Sequence, residues 1–192
     1  MNQITLSENV MVSDPCYSLD TWCQTKLNGV LPGKYNVDVQ KSDEGDWGTR
    51  VSSITIIHED YEDTDDWEQH SECGVDTGQC GIFCMTSYRN DELSKGITTP
   101  PLDKPFVLPY NDKGGDMWYE KMCQFTLGEN QWGVYDTGVV SSSGLGDGQY
   151  PLDVMMDGDK IVGMRLDYLG HSDEELLSED DDEEFDNENN ED

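Results

Sequence analysis

Tyr35, Val37 and Val39 alternate with Asn36, Asp38 and Gln40, and after a turn over 42–48 the chain returns along 50–58 with Ile54 and Ile56 on one face. A period of two puts successive side chains on opposite sides, so this pair buries its apolar set only as strands with one covered face. Material for helices is meanwhile scarce. The 192 residues include no alanine, the best helix former, while glycine, threonine, valine, isoleucine and aromatic residues are plentiful. The body is therefore expected to be β-rich.

Other segments fit that expectation. Residues 4–6 and 10–13 read as a small hairpin, 132–135 and 139–141 as strands around Asp136-Thr137-Gly138, and 74–85 as a strand interrupted by glycines. Residues 151–156 and 161–168 read as a hairpin across Asp157-Gly158, a strong two-residue turn signal. One helix is expected from Asp116, as N-cap, to Phe125, with Trp118, Met122 and Phe125 on a common face. A helical turn is expected at 19–23, a loop or irregular helix at 59–72, and a proline-rich surface excursion over 90–115.

The charge divides the chain. Thirteen of the 42 acidic residues lie from His171 onward, with no Lys or Arg, so 171–192 is expected to be a disordered acidic tail on a single domain of residues 1–170. The other 29, set against 11 basic residues, leave the body itself near −18. Such a field opposes direct binding to nucleic acid or an anionic membrane and favours basic surfaces, metal cations or neutral molecules, of which a host protein with a basic surface is the expected partner. The start of the chain lacks a signal-peptide pattern and no apolar run is long enough to span a membrane, so a cytoplasmic location with reduced thiols is expected.

The stretch from Gly138 to Pro151 reads as a strand opening into a glycine-rich loop, shaped by Gly144, Gly146 and Gly148 and carrying Ser141, Ser142, Ser143 and Asp147. Together with Asp14-Pro15, Gly74-Val75-Asp76-Thr77-Gly78-Gln79 and the Trp118-Tyr119 helix, the run Ser141-Ser-Ser-Gly-Leu-Gly-Asp-Gly-Gln-Tyr-Pro151 resembles an uncharacterised domain family of tailed phages and bacteria. The resemblance spans about 10–168 and implies a setting, a phage-type accessory protein in a bacterial cytoplasm, with no activity and no catalytic residues to carry across. Cys80 and Cys84 depart from the family's pattern.

Several constellations carry chemistry on paper. Asp76-Thr77-Gly78 and Asp136-Thr137-Gly138 share the tripeptide of aspartic proteases, although Asp-Thr-Gly is also an ordinary turn. Ser142 or its neighbours need a base to act as nucleophile, and only His58, His70 and His171 are on offer. Cys73, Cys80 and Cys84 near His70 lack the spacing of a zinc knuckle, so no metal or cofactor is assigned. Asp14, Asp76 and Asp147 each sit in a turn, where aspartate commonly caps its own backbone.

The expectation is thus an α+β, predominantly β fold: an antiparallel sandwich or half-barrel with one packed helix. The leading functional reading is a non-catalytic acidic interaction protein that binds and modulates a host macromolecule, including one that mimics nucleic acid. Ser141, Ser143, Gly144, Gly146, Gly148 and Tyr150 are its candidate binding loop. The rival is a small hydrolase or lyase using a carboxylate or metal site at Asp14, Asp76 and Asp147, with Ser142 as a further catalytic candidate.

Overall fold

The computed structural model describes residues 2–104, 106, 108 and 114–170. The expected acidic tail lies outside them. Among the described residues eleven strands form two sheets with wholly antiparallel ladders. The larger takes the order β1 (Asn2–Leu6), β4 (Gly33–Asp43), β5 (Thr49–His58), β11 (Lys160–Asp167), β10 (Gly148–Asp157), β6 (Trp67–Val75). The smaller takes β3 (Thr25–Asn28), β2 (Asn9–Ser13), β7 (Gln79–Cys84), β9 (Gly138–Ser142), β8 (Trp132–Tyr135).

Alternation decides what lies between the sheets. Val10 and Val12 of β2, Ile82 of β7 and Val139 of β9 meet Tyr35, Val37, Ile54, Ile56 and Met164 of the larger sheet in one apolar core. The intervening residues Met11, Phe83 and Val140 face the other way, against Trp118, Met122 and Phe125 of the helix α2 (Asp116–Thr126). The result is a β-sandwich with the helix as a third layer on the smaller sheet. Backbone bonds also join the sheet margins, from Thr5 N to the Asp136 carbonyl at 2.7 Å and from Gly74 N to the Cys23 carbonyl at 3.1 Å.

Glycines on the helix side are steric gaps filled by rings. A Cβ at Gly133 would stand 2.0 Å from the Phe125 ring, and one at Gly81 2.3 Å from the Phe83 ring. Phe83, Tyr88 and Trp118 stack edgewise or tilted with centroids 5.0 to 5.6 Å apart. No helix among the described residues is long and apolar enough to cross a membrane.

Four expectations need correction. The strands near the N-terminus are not a hairpin: β1 pairs with β4 and β2 with β3 and β7, so the link at Ser7 and Glu8 steps from one sheet to the other. Residues 19–23 contain turns and no helix. The acidic stretch 59–72 supplies most of β6, an edge strand whose first half is largely exposed, and pairing with β10 overrides its lack of alternation. The glycine loop is shorter than expected, because Gly148 and Tyr150 already belong to β10.

The helix cap also differs. Gly115, with φ of 80°, occupies the N-cap position and has no side chain to offer, while Asp116 is the first helical residue. The cap comes from Asp91 in the four-residue helix α1 (Asp91–Ser94), whose carboxylate accepts from Gly115 N at 2.8 Å and Trp118 N at 3.0 Å. Asp91→Ala is expected to lower stability by about 1–2 kcal/mol, read as a lower denaturant midpoint at unchanged slope. An unaltered midpoint would refute the capping role.

Candidate functional site

The sequence motifs meet at one end of the smaller sheet. Asp14 follows the last residue of β2 and is fully buried. Its Oδ1 accepts from Cys16 N at 2.8 Å, its Oδ2 from Asp76 N at 2.9 Å and Thr77 N at 2.7 Å, and the Thr77 hydroxyl lies 2.8 and 2.9 Å from the two oxygens. A carboxylate has about four acceptor positions, and these donors occupy them. Asp14 thus holds the turn that carries the chain from β6 in the larger sheet to β7 in the smaller, through charge-assisted bonds to backbone amides.

The glycine loop packs on that turn. Ser143 N donates to the Gly78 carbonyl at 3.0 Å, and a Cβ on Gly78 would lie 3.7 Å from the Gly146 Cα. Tyr150 closes the loop from β10, its hydroxyl reaching the carbonyls of Ser143 at 3.1 Å and Gly146 at 2.7 Å. Gly144 and Gly146 have φ of 52° and 123°, the left-handed values that favour glycine. The loop is itself a crossing between the sheets, from β9 back to β10.

The three turns therefore converge, but the carboxylates are not pooled: Asp14 is buried, while Asp76 and Asp147 are exposed. The serines are occupied by neighbours. Ser141 Oγ bonds the Ser142 carbonyl and the Tyr168 hydroxyl, Ser142 Oγ donates to Gln131 Oε1 at 3.3 Å, and Ser143 Oγ donates to the Gly146 carbonyl at 2.8 Å. His58 is buried edge-on between Tyr35 and Tyr61, and His70 is exposed on β6.

The two Asp-Thr-Gly copies lie at opposite ends of β7, one preceding Gln79 and the other beside Phe83, which pairs with Gly138. Six residues of strand put them about 17 Å apart, too far for two aspartates to share a proton. Cys80 and Cys84 share the core-facing side of β7, and Cys80 Sγ lies 3.4 Å from Cys73 Sγ across the two sheets. Among the described residues no three His, Cys, Asp or Glu side chains are grouped to hold a metal ion.

Other residues complete the site and carried no signal of their own in the sequence. The Arg89 guanidinium donates to the carbonyls of Pro15 at 3.0 Å and Cys16 at 3.1 Å, and the Tyr88 hydroxyl to that of Tyr17 at 2.7 Å. Gln79 Oε1 accepts from Thr126 Oγ1 at 2.9 Å, which docks the end of α2. Burial, and after it the charge of Asp14, pushes the half-buried Cys16 thiol well above its ordinary value. At neutral pH it is a neutral thiol, a poor nucleophile.

Fold and site together define an antiparallel β-sandwich covered by one helix, with motif residues gathered at the sheet crossings. Compared with known proteins, the chain matches no family model, no curated protein and no solved structure.

Asp14→Ala leaves two turn amides without an acceptor and is expected to cost about 3 kcal/mol, whereas Asp147→Ala on the exposed loop should change stability by less than about 0.5 kcal/mol. Chemical denaturation of the two variants checks this, and equal effects would refute the structural role of Asp14. Alkylation of native protein by iodoacetamide at pH 8, mapped by mass spectrometry, is expected to modify Cys16 at least about tenfold more slowly than in the unfolded chain. Equal rates would show a reactive thiol.

Proposed function

We propose that the protein is an acidic interaction module that captures a partner with a basic surface, with the motif turns serving as its framework and not as a reaction centre. The observation carrying this reading is Trp22, which stands 85% exposed on a body of net charge near −18, with Leu19 also half exposed at 50%. Leaving an indole in water forgoes about 2–3 kcal/mol of burial, and tryptophan is the side chain most often found as an interface anchor. The negative field supplies long-range steering toward a cationic partner, and the anchor supplies short-range affinity.

The resemblance to a phage and bacterial domain family supports placing the partner in a bacterial cytoplasm. A partner that ordinarily holds nucleic acid fits the same charge, since a coat of carboxylates presents the sign of a phosphate array. The occupied hydrogen bonds of Asp14 weigh against the hydrolase or lyase reading, which needs that carboxylate free to meet water or a metal.

Immobilised full-length protein and its Trp22→Ala variant, incubated with bacterial lysate, provide the test. The wild type is expected to retain a basic protein that is released as salt is raised and that the variant retains at least about tenfold less. Retention indifferent to both salt and Trp22 would refute this surface. Competition by duplex DNA would identify the partner as a nucleic-acid-binding protein.

A further inference from the structure

The far end of the smaller sheet is built differently from the motif end. There the turn between β8 and β9, the segment after α1 and the first turn of α2 enclose a cavity of about 360 Å³. That volume falls in the range of small-molecule sites, about 300–1,000 Å³. Leu93, Ile97, Val134, Trp118 and Tyr135 make one side of its wall apolar and aromatic, and hydroxyl side chains with Asp136 make the other polar. Trp118 and Ser87 are buried, whereas Leu93 at the rim is 56% exposed.

The polar groups differ in state. Trp118 Nε1 donates to the Tyr135 hydroxyl at 3.3 Å, and Ser87 Oγ donates to the Cys84 carbonyl at 3.0 Å. Burial pushes the Tyr135 phenol up, so it stays uncharged. The remaining charged group in the lining is Asp136, exposed at the mouth, whose carboxylate has no donor or cation beside it among the described residues. Among the described residues no Lys or Arg lines the cavity, and Lys95 near the rim in sequence is paired with Glu92.

We propose that this cavity is a binding site for a small primary amine with an aryl or alkyl body. The body packs against Leu93, Ile97, Val134 and the two aromatic rings, and the ammonium faces the Asp136 carboxylate. An anion is rejected twice, by that carboxylate and by the field of the body, and no cation among the described lining residues offsets either. A wholly apolar ligand would leave the carboxylate facing it without a counter-charge, which lowers its affinity relative to the amine. The mouth is already shaped: the Asp136 carbonyl accepts from Thr5 N at 2.7 Å and the Thr137 carbonyl from Cys84 N at 2.9 Å, so little loop ordering opposes binding. The site lies across β7 from the motif turns and does not depend on the interaction reading.

Three isosteric probes test it by titration calorimetry on the full chain: 2-phenylethylamine, 2-phenylethanol and phenylacetate. Binding is expected in the order amine, alcohol, acid, with the amine at least about fivefold tighter than the alcohol. Asp136→Asn should bring the amine to the affinity of the alcohol and leave the alcohol unchanged. Thr98→Trp, placed at an exposed lining position to fill the mouth, should abolish binding of both while leaving the melting temperature intact. Because Asp136 is one of 42 acidic residues, diffuse attraction of amines to the chain would not respond to its replacement. Absence of amine binding at millimolar concentration overturns the proposal, as does amine affinity unchanged by Asp136→Asn or binding that survives Thr98→Trp.

Discussion

One carboxylate shielded from water holds the two sheets together. Asp14 accepts from the amides of residues 76 and 77, and so fixes one of the two points where the chain leaves the larger sheet for the smaller. The return crossing leans on the first through the bond from Ser143 N to the Gly78 carbonyl. A charge buried this fully is tolerated only when its acceptor positions are filled, and the turn amides in turn have no better acceptor at hand. The dependence is mutual. Arg89 extends the arrangement, because its guanidinium holds the carbonyls after Asp14 and also lies 3.6 Å from Asp116 at the first turn of α2. Helix, crossing turn and strand end are thereby linked through two oppositely charged side chains that do not touch water freely.

Legibility in the sequence followed the range of the interactions. The alternation at Tyr35, Val37 and Val39 and the turn at Asp157-Gly158 are local signals, and β4, β5, β10 and β11 form as they indicate. The helical face of Trp118, Met122 and Phe125 is local too, and it packs as expected. β6 was hidden because its pattern is that of an exposed edge and its partner β10 lies about eighty residues on. The motif residues were recognisable as shaped turns, but not as sheet crossings. The donors to Asp14 lie 62 and 63 residues away, and nothing in Asp14-Pro15 itself announces them. Arg89 and Tyr88 left no trace for the same reason, since each acts through backbone carbonyls whose identity a sequence does not encode.

The glycines illustrate a second limit. Gly81 and Gly133 look like interruptions of strands, whose pairing they should weaken by entropy. In the fold they are the places where Phe83 and Phe125 lie against bare backbone, so that ring burial offsets what the missing side chain forgoes. A reading by propensity sees only the cost. The helix sits close on the smaller sheet because of those gaps, and its N-terminal turn is thereby held at the far end of the sheet, beside Tyr135.

The two ends of the smaller sheet consequently differ in what remains available. At the crossing end the glycine and aspartate turns use their polar groups on each other: Asp14 on amides, Tyr150 on carbonyls, the serines on strand ends. At the far end the same kind of turn, Asp136-Thr137-Gly138, joins neighbouring strands through its carbonyls and leaves Asp136 exposed in the lining of the cavity. One tripeptide thus has two physical fates, decided by whether a buried acceptor stands behind its amides. Where Asp14 stands, the turn is a structural joint. Where no such group stands, the turn's own side chain is left to choose its partner from solution, and on a body this acidic the partner of lowest electrostatic cost is a cation.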